Sequence, residues 1–134
     1  MVAASLDTNV LIRFIVRDDD QQAQIVARLL ERYGKKSQSL FVPVTVVLEL
    51  EWVLRSRYKF DKSAVILALS SLLMTIELVF ESEGAIEQAL ASYEDSGADY
   101  ADCLHLALVS REKALPFLTF DAKAATEVGA RLLK

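Results

Sequence analysis

Cysteine is nearly missing from this sequence: Cys103 is the only one. No internal disulfide can form, no cysteine-based zinc site is suggested, and a reducing, cytoplasmic setting fits. An excess of positive charge is missing too. Lys and Arg number 15 against 19 Asp and Glu, giving a net charge of −4. A simple phosphate-binding module would be basic, so this balance counts against unassisted binding of nucleic acid. It leaves room for an acidic pocket that holds cations, because bound ions reverse the local field.

A long uncharged apolar run is also lacking. The nearest approach is Ser63 to Phe80, whose single charge is Glu77. It only just reaches a spanning length, and Ser70-Ser71 with Thr75-Ile76 point to a break inside it. A buried helix followed by a buried strand is the better reading, and no membrane partner is expected. The N-terminus lacks a charged segment leading into an apolar h-region and cleavage site, so export is not indicated. Internal repeats, low-complexity segments and interdomain linkers are absent as well.

What remains suits one compact domain spanning residues 1–134 with one hydrophobic core. The chain is 53% hydrophobic and 25% charged, enough to bury a substantial core. Its mean hydropathy of +0.28 is high for a small soluble protein. Some apolar surface is therefore expected to be covered by a partner or a second copy.

Strand and helix patterns alternate along the chain. Val2 to Leu6 reads as a buried strand. Asp7-Thr8-Asn9 caps an apolar helix to about Val16. Arg17 and the acidic run Asp18 to Asp20 form the next turn and cap. Ile25, Leu29 and Leu30 mark a helix ending near Gly34, with Lys35-Lys36 beyond it. Leu40 to Val42 is a second strand, and Pro43 suits the first turn of a long helix to Tyr58. Asp61 or Ser63 starts a helix through Leu73, then Thr75 to Phe80 forms a third strand. Ser82 starts a helix carrying Ile86, Leu90 and Tyr93, and Asp95-Ser96-Gly97 is a turn. Asp99 opens a helix through Lys113, Phe117 to Thr119 is a fourth strand, and Asp121 caps a last short helix. Arg131 to Leu133 adds an edge strand. This alternation predicts an α/β protein, a sandwich of helices around a mainly parallel sheet.

Five carboxylates stand out. Asp7 and Asp121 directly follow the first and fourth strands, where open α/β sheets bind ligands. Either one alone could be merely a helix cap. Glu49 lies on the helix after Pro43. With its direction as zero and about 100° per residue, Val53 and Val46 fall near 40° and 60°, Leu50 near 100° and Trp52 near −60°. This places Glu49 between apolar flanks, where an ionised carboxylate needs a cation or hydrogen-bond partners. A snorkelling edge position is the plainer alternative. Glu51 points to roughly 200°, where an exposed pair with Arg55 costs little. Asp99 and Asp102 share one face at the start of a helix, either as a capping pair or as ligands. Four or five acids gathered at one end of a sheet would raise one another's pKa and destabilise the fold unless cations were present. Oxygen-only ligation suits Mg²⁺ or Mn²⁺, and such ions support attack of water on a phosphodiester.

Four segments in register carry a resemblance: LDTNVLIRFIVRDD (Leu6 to Asp19), VLELEWVLRSRY (Val47 to Tyr58), GADYADCLHLALV (Gly97 to Val109) and LTFDAKAA (Leu118 to Ala125). Together they resemble the PIN-domain ribonucleases, most of all the VapC toxins of bacterial toxin–antitoxin pairs. The resemblance spans nearly the whole chain and implies a three-layer α/β/α fold with Mg²⁺- or Mn²⁺-dependent endonucleolytic cleavage of RNA. The family's acids fall on Asp7, Glu49, Asp102 and Asp121, with Asp99 the usual accompanying acid. Asp7, Asp102 and Asp121 are implied to hold metal directly or through water, and Glu49 to ligate or to orient a water. Thr8, Asn9 and Thr119 fall where the family places polar residues that support the acids. The resemblance further implies a homodimer and a small cognate antitoxin that covers apolar surface and obstructs the site, within a larger toxin–antitoxin assembly.

Other residues carry less. His105, the only histidine, reads as a packed helical residue and Cys103 as core. Trp52 and Phe14 read as core or interface anchors. Arg13, Arg17, Lys35, Lys36, Arg55, Arg57 and Lys59 are candidates for phosphate contacts, with Arg13 and Arg17 framing the pocket near Asp7. A receiver-like phosphoacceptor domain would want adjacent acids after the first strand, where Thr8-Asn9 stands. A haloacid-dehalogenase-type phosphatase would want Asp at position 9. A non-catalytic adaptor would explain the apolar surface but not Glu49.

Overall fold

The computed structural model describes residues 1–134. The chain folds into two compact units, Met1–Glu81 and Ser82–Lys134.

The first unit runs β1 (Val2–Ser5), α1 (Thr8–Ile15), α2 (Asp20–Lys35), β2 (Ser39–Val42), α3 (Val44–Ser56), α4 (Lys62–Leu73) and β3 (Leu78–Phe80). Its three strands pair in parallel in the order β1-β2-β3. Helices connect the parallel strands, as parallel pairing requires. Leu40 and Val42 of central β2 are wholly buried. β1 differs from expectation: all four of its residues are exposed, and burial begins only at Leu6. It pairs on one side only, so its apolar sequence does not place it inside this sheet. β3 is shorter than the predicted strand, because Thr75–Glu77 are spent in the turn that leaves α4.

Carboxylates start the helices. Asp7, Asp19 and Asp61 are the N-caps of α1, α2 and α4, and each side chain accepts a backbone N–H of the first turn. Pro43 precedes α3 and has no capping side chain. There the Glu81 carboxylate accepts from the Val44 N–H at 2.8 Å, satisfying a donor that Pro43 cannot serve. The stretch tested for membrane spanning is α4 plus β3, and no helix is long and apolar enough to cross a membrane.

The second unit runs α5 (Glu83–Asp95), α6 (Tyr100–Arg111), β4 (Phe117–Thr119), a 3₁₀ turn (Ala124–Thr126) and β5 (Ala130–Leu132). β4 and β5 pair in parallel. α5 and α6 pack through Ile86, Ala89, Leu90 and Tyr93 against Tyr100, Leu104 and Ala107, all buried. Tyr93 and Tyr100 meet edge to face at 5.6 Å. Cys103 is in the core as expected, whereas His105 is exposed, its ring tilted against Phe117 at 6.2 Å rather than packed inside. The α/β order and the parallel pairing of every strand agree with the sequence reading.

Candidate active site

In the first unit the acids lie where β1 hands over to α1 and on α3. Asp7 follows β1, is exposed, and accepts from the Val10 N–H at 3.3 Å through one carboxylate oxygen. The same carboxylate retains lone pairs for a further ligand. Thr8 is buried, and its hydroxyl donates to the Glu49 carboxylate. One hydrogen bond thus couples the start of α1 to the middle of α3. Asn9 is exposed and lines, with Asp7 and Arg13, a cavity of about 360 Å³.

The orientation of α3 reverses the expectation for its two glutamates. Glu49 is exposed, while Glu51 is 1% exposed and paired with Arg55 at 2.8 Å. The reason lies in which arc of the helix meets the core. Val47, Leu50 and Leu54 form the buried face, and Glu51 lies within that arc. Val46 and Val53 are only half-buried, and Trp52 is 58% exposed, so it is no core anchor. Glu49 therefore stands at the edge, its charge satisfied by Thr8 and solvent instead of being sealed among aliphatic side chains.

Arg13 is held on the wall of the Asp7 cavity. Its guanidinium donates to Asp18 at 3.0 Å and to the Tyr58 hydroxyl at 3.4 Å. The Tyr58 hydrogen bond is the main reason that the guanidinium is raised above its ordinary value. Sequence reasoning missed both partners: Asp18 lies only five residues on, whereas Tyr58 returns across 45 residues and only the fold reveals it. Arg17 is exposed, with φ of 56°, and does not line this cavity.

In the second unit three acids surround the start of α6. Asp99 is its N-cap by position, yet its carboxylate makes no capping hydrogen bond and is free to serve another ligand. Asp102 lies in the first turn, half-buried. Burial pushes its carboxyl above the ordinary range, the charges of Asp121 and Asp99 push it further, and His105 pulls it back. Asp121 follows β4 and accepts from the N–H groups of Lys123 and Ala124 at 2.8 and 3.2 Å. Its own N–H donates to the Thr119 hydroxyl at 2.9 Å, which fixes the turn.

The structure thus brings together Asp7, Thr8 and Glu49 in one unit and Asp99, Asp102 and Asp121 in the other. Within either unit, no three His, Cys, Asp or Glu side chains converge into a coordination shell. The donor chemistry nevertheless fits a hard divalent cation. All these donors are oxygens, and Asp102 is held above its ordinary value first by burial and then by the like charges of Asp121 and Asp99, the part that a cation would relieve.

Comparison with known proteins places the chain. A curated VapC ribonuclease from Aquifex aeolicus (strain VF5) is 26% identical over 99 residues, which are 74% of this chain and 73% of that protein. The crystal structure of Mycobacterium tuberculosis VapC20, described as a sarcin-ricin loop cleaving toxin, matches 92% of this chain and 94% of its own. That match has 16% identity and a TM-score of 0.42. The PIN domain model matches residues 4–129, nearly the whole sequence, and the chain belongs to the PIN-domain family.

Proposed function

We propose that this chain is a VapC-type endoribonuclease, the toxin of a toxin–antitoxin pair, which hydrolyses RNA phosphodiesters with a divalent metal ion. Family membership and the similarity to a VapC ribonuclease support the activity. The observation that carries the site is the set of carboxylates at the start of α6. Asp102 sits half-buried in the first turn, Asp99 makes no capping hydrogen bond, and the charge of Asp121 acts on Asp102 as well. Such a group is unfavourable in an idle fold and useful in one that binds cations.

Residues 1–134 act in this reading as one catalytic domain. Asp7 of the first unit and Asp102 and Asp121 of the second, with Asp99 accompanying them, are the acids that would hold the metal, Mg²⁺ or Mn²⁺. When bound, the ion acidifies water and offsets charge on the phosphodiester. Glu49, oriented by Thr8, accepts a hydrogen bond from the attacking water and aims it at phosphorus. Asn9 and Thr119 keep the Asp7 and Asp121 turns in place, and Arg13 presents its guanidinium to a phosphate beside the scissile one. Attack of water breaks one P–O bond, leaving a phosphate monoester and a free hydroxyl.

A small antitoxin covers the site, and a second copy of the chain covers apolar surface, within the cytoplasm. Exposed Trp52, Leu67 and Ile76 in the first unit, and Phe120 and Val128 in the second, support such covering.

The test is to incubate the purified chain, freed of any co-expressed partner, with structured RNAs and Mg²⁺ or Mn²⁺. EDTA and Asp7→Asn run in parallel. Cleavage lost in both controls is the expected result. Cleavage that survives EDTA or Asp7→Asn refutes the mechanism, and no cleavage together with no metal binding by calorimetry refutes the activity.

A further inference from the structure

The outer face of α2 opposes the charge of the whole protein. Between Arg28 and Lys36 lie four cations and one acid, Glu31, in a chain whose net charge is −4. Glu31 is taken by Lys35 at 3.0 Å. Arg28, Arg32 and Lys36 are exposed and recur every fourth residue, so they form one stripe along the helix and just past its end. Successive members are separated by about 6 Å of helix rise, comparable to the step between neighbouring phosphates on a nucleic-acid strand.

The stripe is continuous with the candidate site. The cavity of about 360 Å³ at Asp7 extends past Arg13 and Gln22 to Ile25. Ile25 also begins a groove of about 570 Å³, lined further along by Arg28, Arg32 and Lys36 together with the Glu31–Lys35 pair. Beyond it, Arg32 and Lys36 border a hollow of about 200 Å³ with Tyr33 between them. Cations alone would suit any polyanion. An aromatic ring set between cations, along a path that starts at a metal-binding carboxylate, suits a single RNA strand, whose bases stack while its phosphates pair.

We propose that α2 is an RNA track, on which Arg28, Arg32 and Lys36 hold successive phosphates of the strand leading away from Asp7. The proposal rests on the reading of the chain as a ribonuclease. It accounts for how an acidic protein retains a polyanionic substrate: basic charge is concentrated on one helix while the net charge stays negative.

Binding of a fluorescent single-stranded RNA to the uncleaving Asp7→Asn protein is measured by anisotropy over a range of salt concentrations. Arg28→Gln, Arg32→Gln and Lys36→Gln are combined in that background. A control combines Arg111→Gln, Lys113→Gln and Lys134→Gln, which removes the same charge elsewhere. The expected result is binding on the order of tenfold weaker for the stripe variant, with the slope of log affinity against log salt shallower by about 2. The control should stay close to the parent. Equal slopes for the two triple variants, or no RNA binding by the parent, overturn the track. The first of these would leave the stripe to an acidic protein partner. A slope that depends on the stripe, in a protein whose wild-type form cleaves no RNA, upholds the track and refutes the nuclease reading. Glutamine preserves helix propensity at these exposed positions, and far-UV circular dichroism verifies that α2 persists.

Discussion

The Thr8 hydroxyl donates to the Glu49 carboxylate across 41 residues of sequence, joining the side chain beside Asp7 to the exposed acid of α3. Thr8 is buried and therefore held by packing, so the carboxylate it contacts inherits a fixed direction.

Thr8→Val removes this donor while keeping shape and burial. Single-turnover RNA cleavage should fall by about 10- to 100-fold, the range for losing a partner that orients a ligand, with the thermal midpoint little changed. Cleavage at the wild-type rate would show that Glu49 needs no such support.

Asp102 gives a pH dependence. Its carboxyl is raised, first by burial and then by Asp121 and Asp99, so folding favours its protonated form. That contribution is fully present below the unfolded value and is lost as pH rises through the raised folded value. At neutral pH the ionised group therefore costs stability. Asp102→Asn should raise the melting temperature of the metal-free protein at pH 7 by about a degree or two. The difference should vanish below the ordinary value of 3.8. Calorimetric scans from acid to neutral pH check this, and a lower midpoint for Asp102→Asn at pH 7 would contradict it.

Glu51 is a buried carboxylate that relies on Arg55 at 2.8 Å. Arg55→Ala strips that pair and should destabilise by about 1–3 kcal/mol. Replacing the acid as well, in Glu51→Met/Arg55→Ala, should restore most of the loss, because an apolar residue of similar volume suits a buried arc. Urea unfolding of the two variants gives the comparison. Additive losses would mean that the pair does not account for the burial of Glu51.

Asp61 accepts from the Ala64 N–H at 2.8 Å at the start of α4 and is not among the candidate acids. Asp61→Ala should cost about 1 kcal/mol in urea unfolding and leave cleavage unchanged. A loss of cleavage without a loss of stability would give Asp61 a role beyond capping.

The sequence by itself determined what short-range chemistry controls. The order of strands and helices follows from local runs and from Asp at caps, as at Asp7, Asp19 and Asp61. The four segments around the acids carry the family resemblance within the sequence alone. The tertiary structure decided what depends on which surface meets which. α3 is apolar around most of its circumference, so periodicity could not choose between Glu49 and Glu51. Packing of Val47, Leu50 and Leu54 buried Glu51 and left Glu49 to Thr8. In the same way β1 is apolar enough to be buried, yet lies exposed with a strand on one side only. At α6 the capping position of Asp99 was legible, but only the fold showed its carboxylate unused by the cap. A chain specifies its own turns within a few residues; the burial of a charge is settled by neighbours that arrive from tens of residues away.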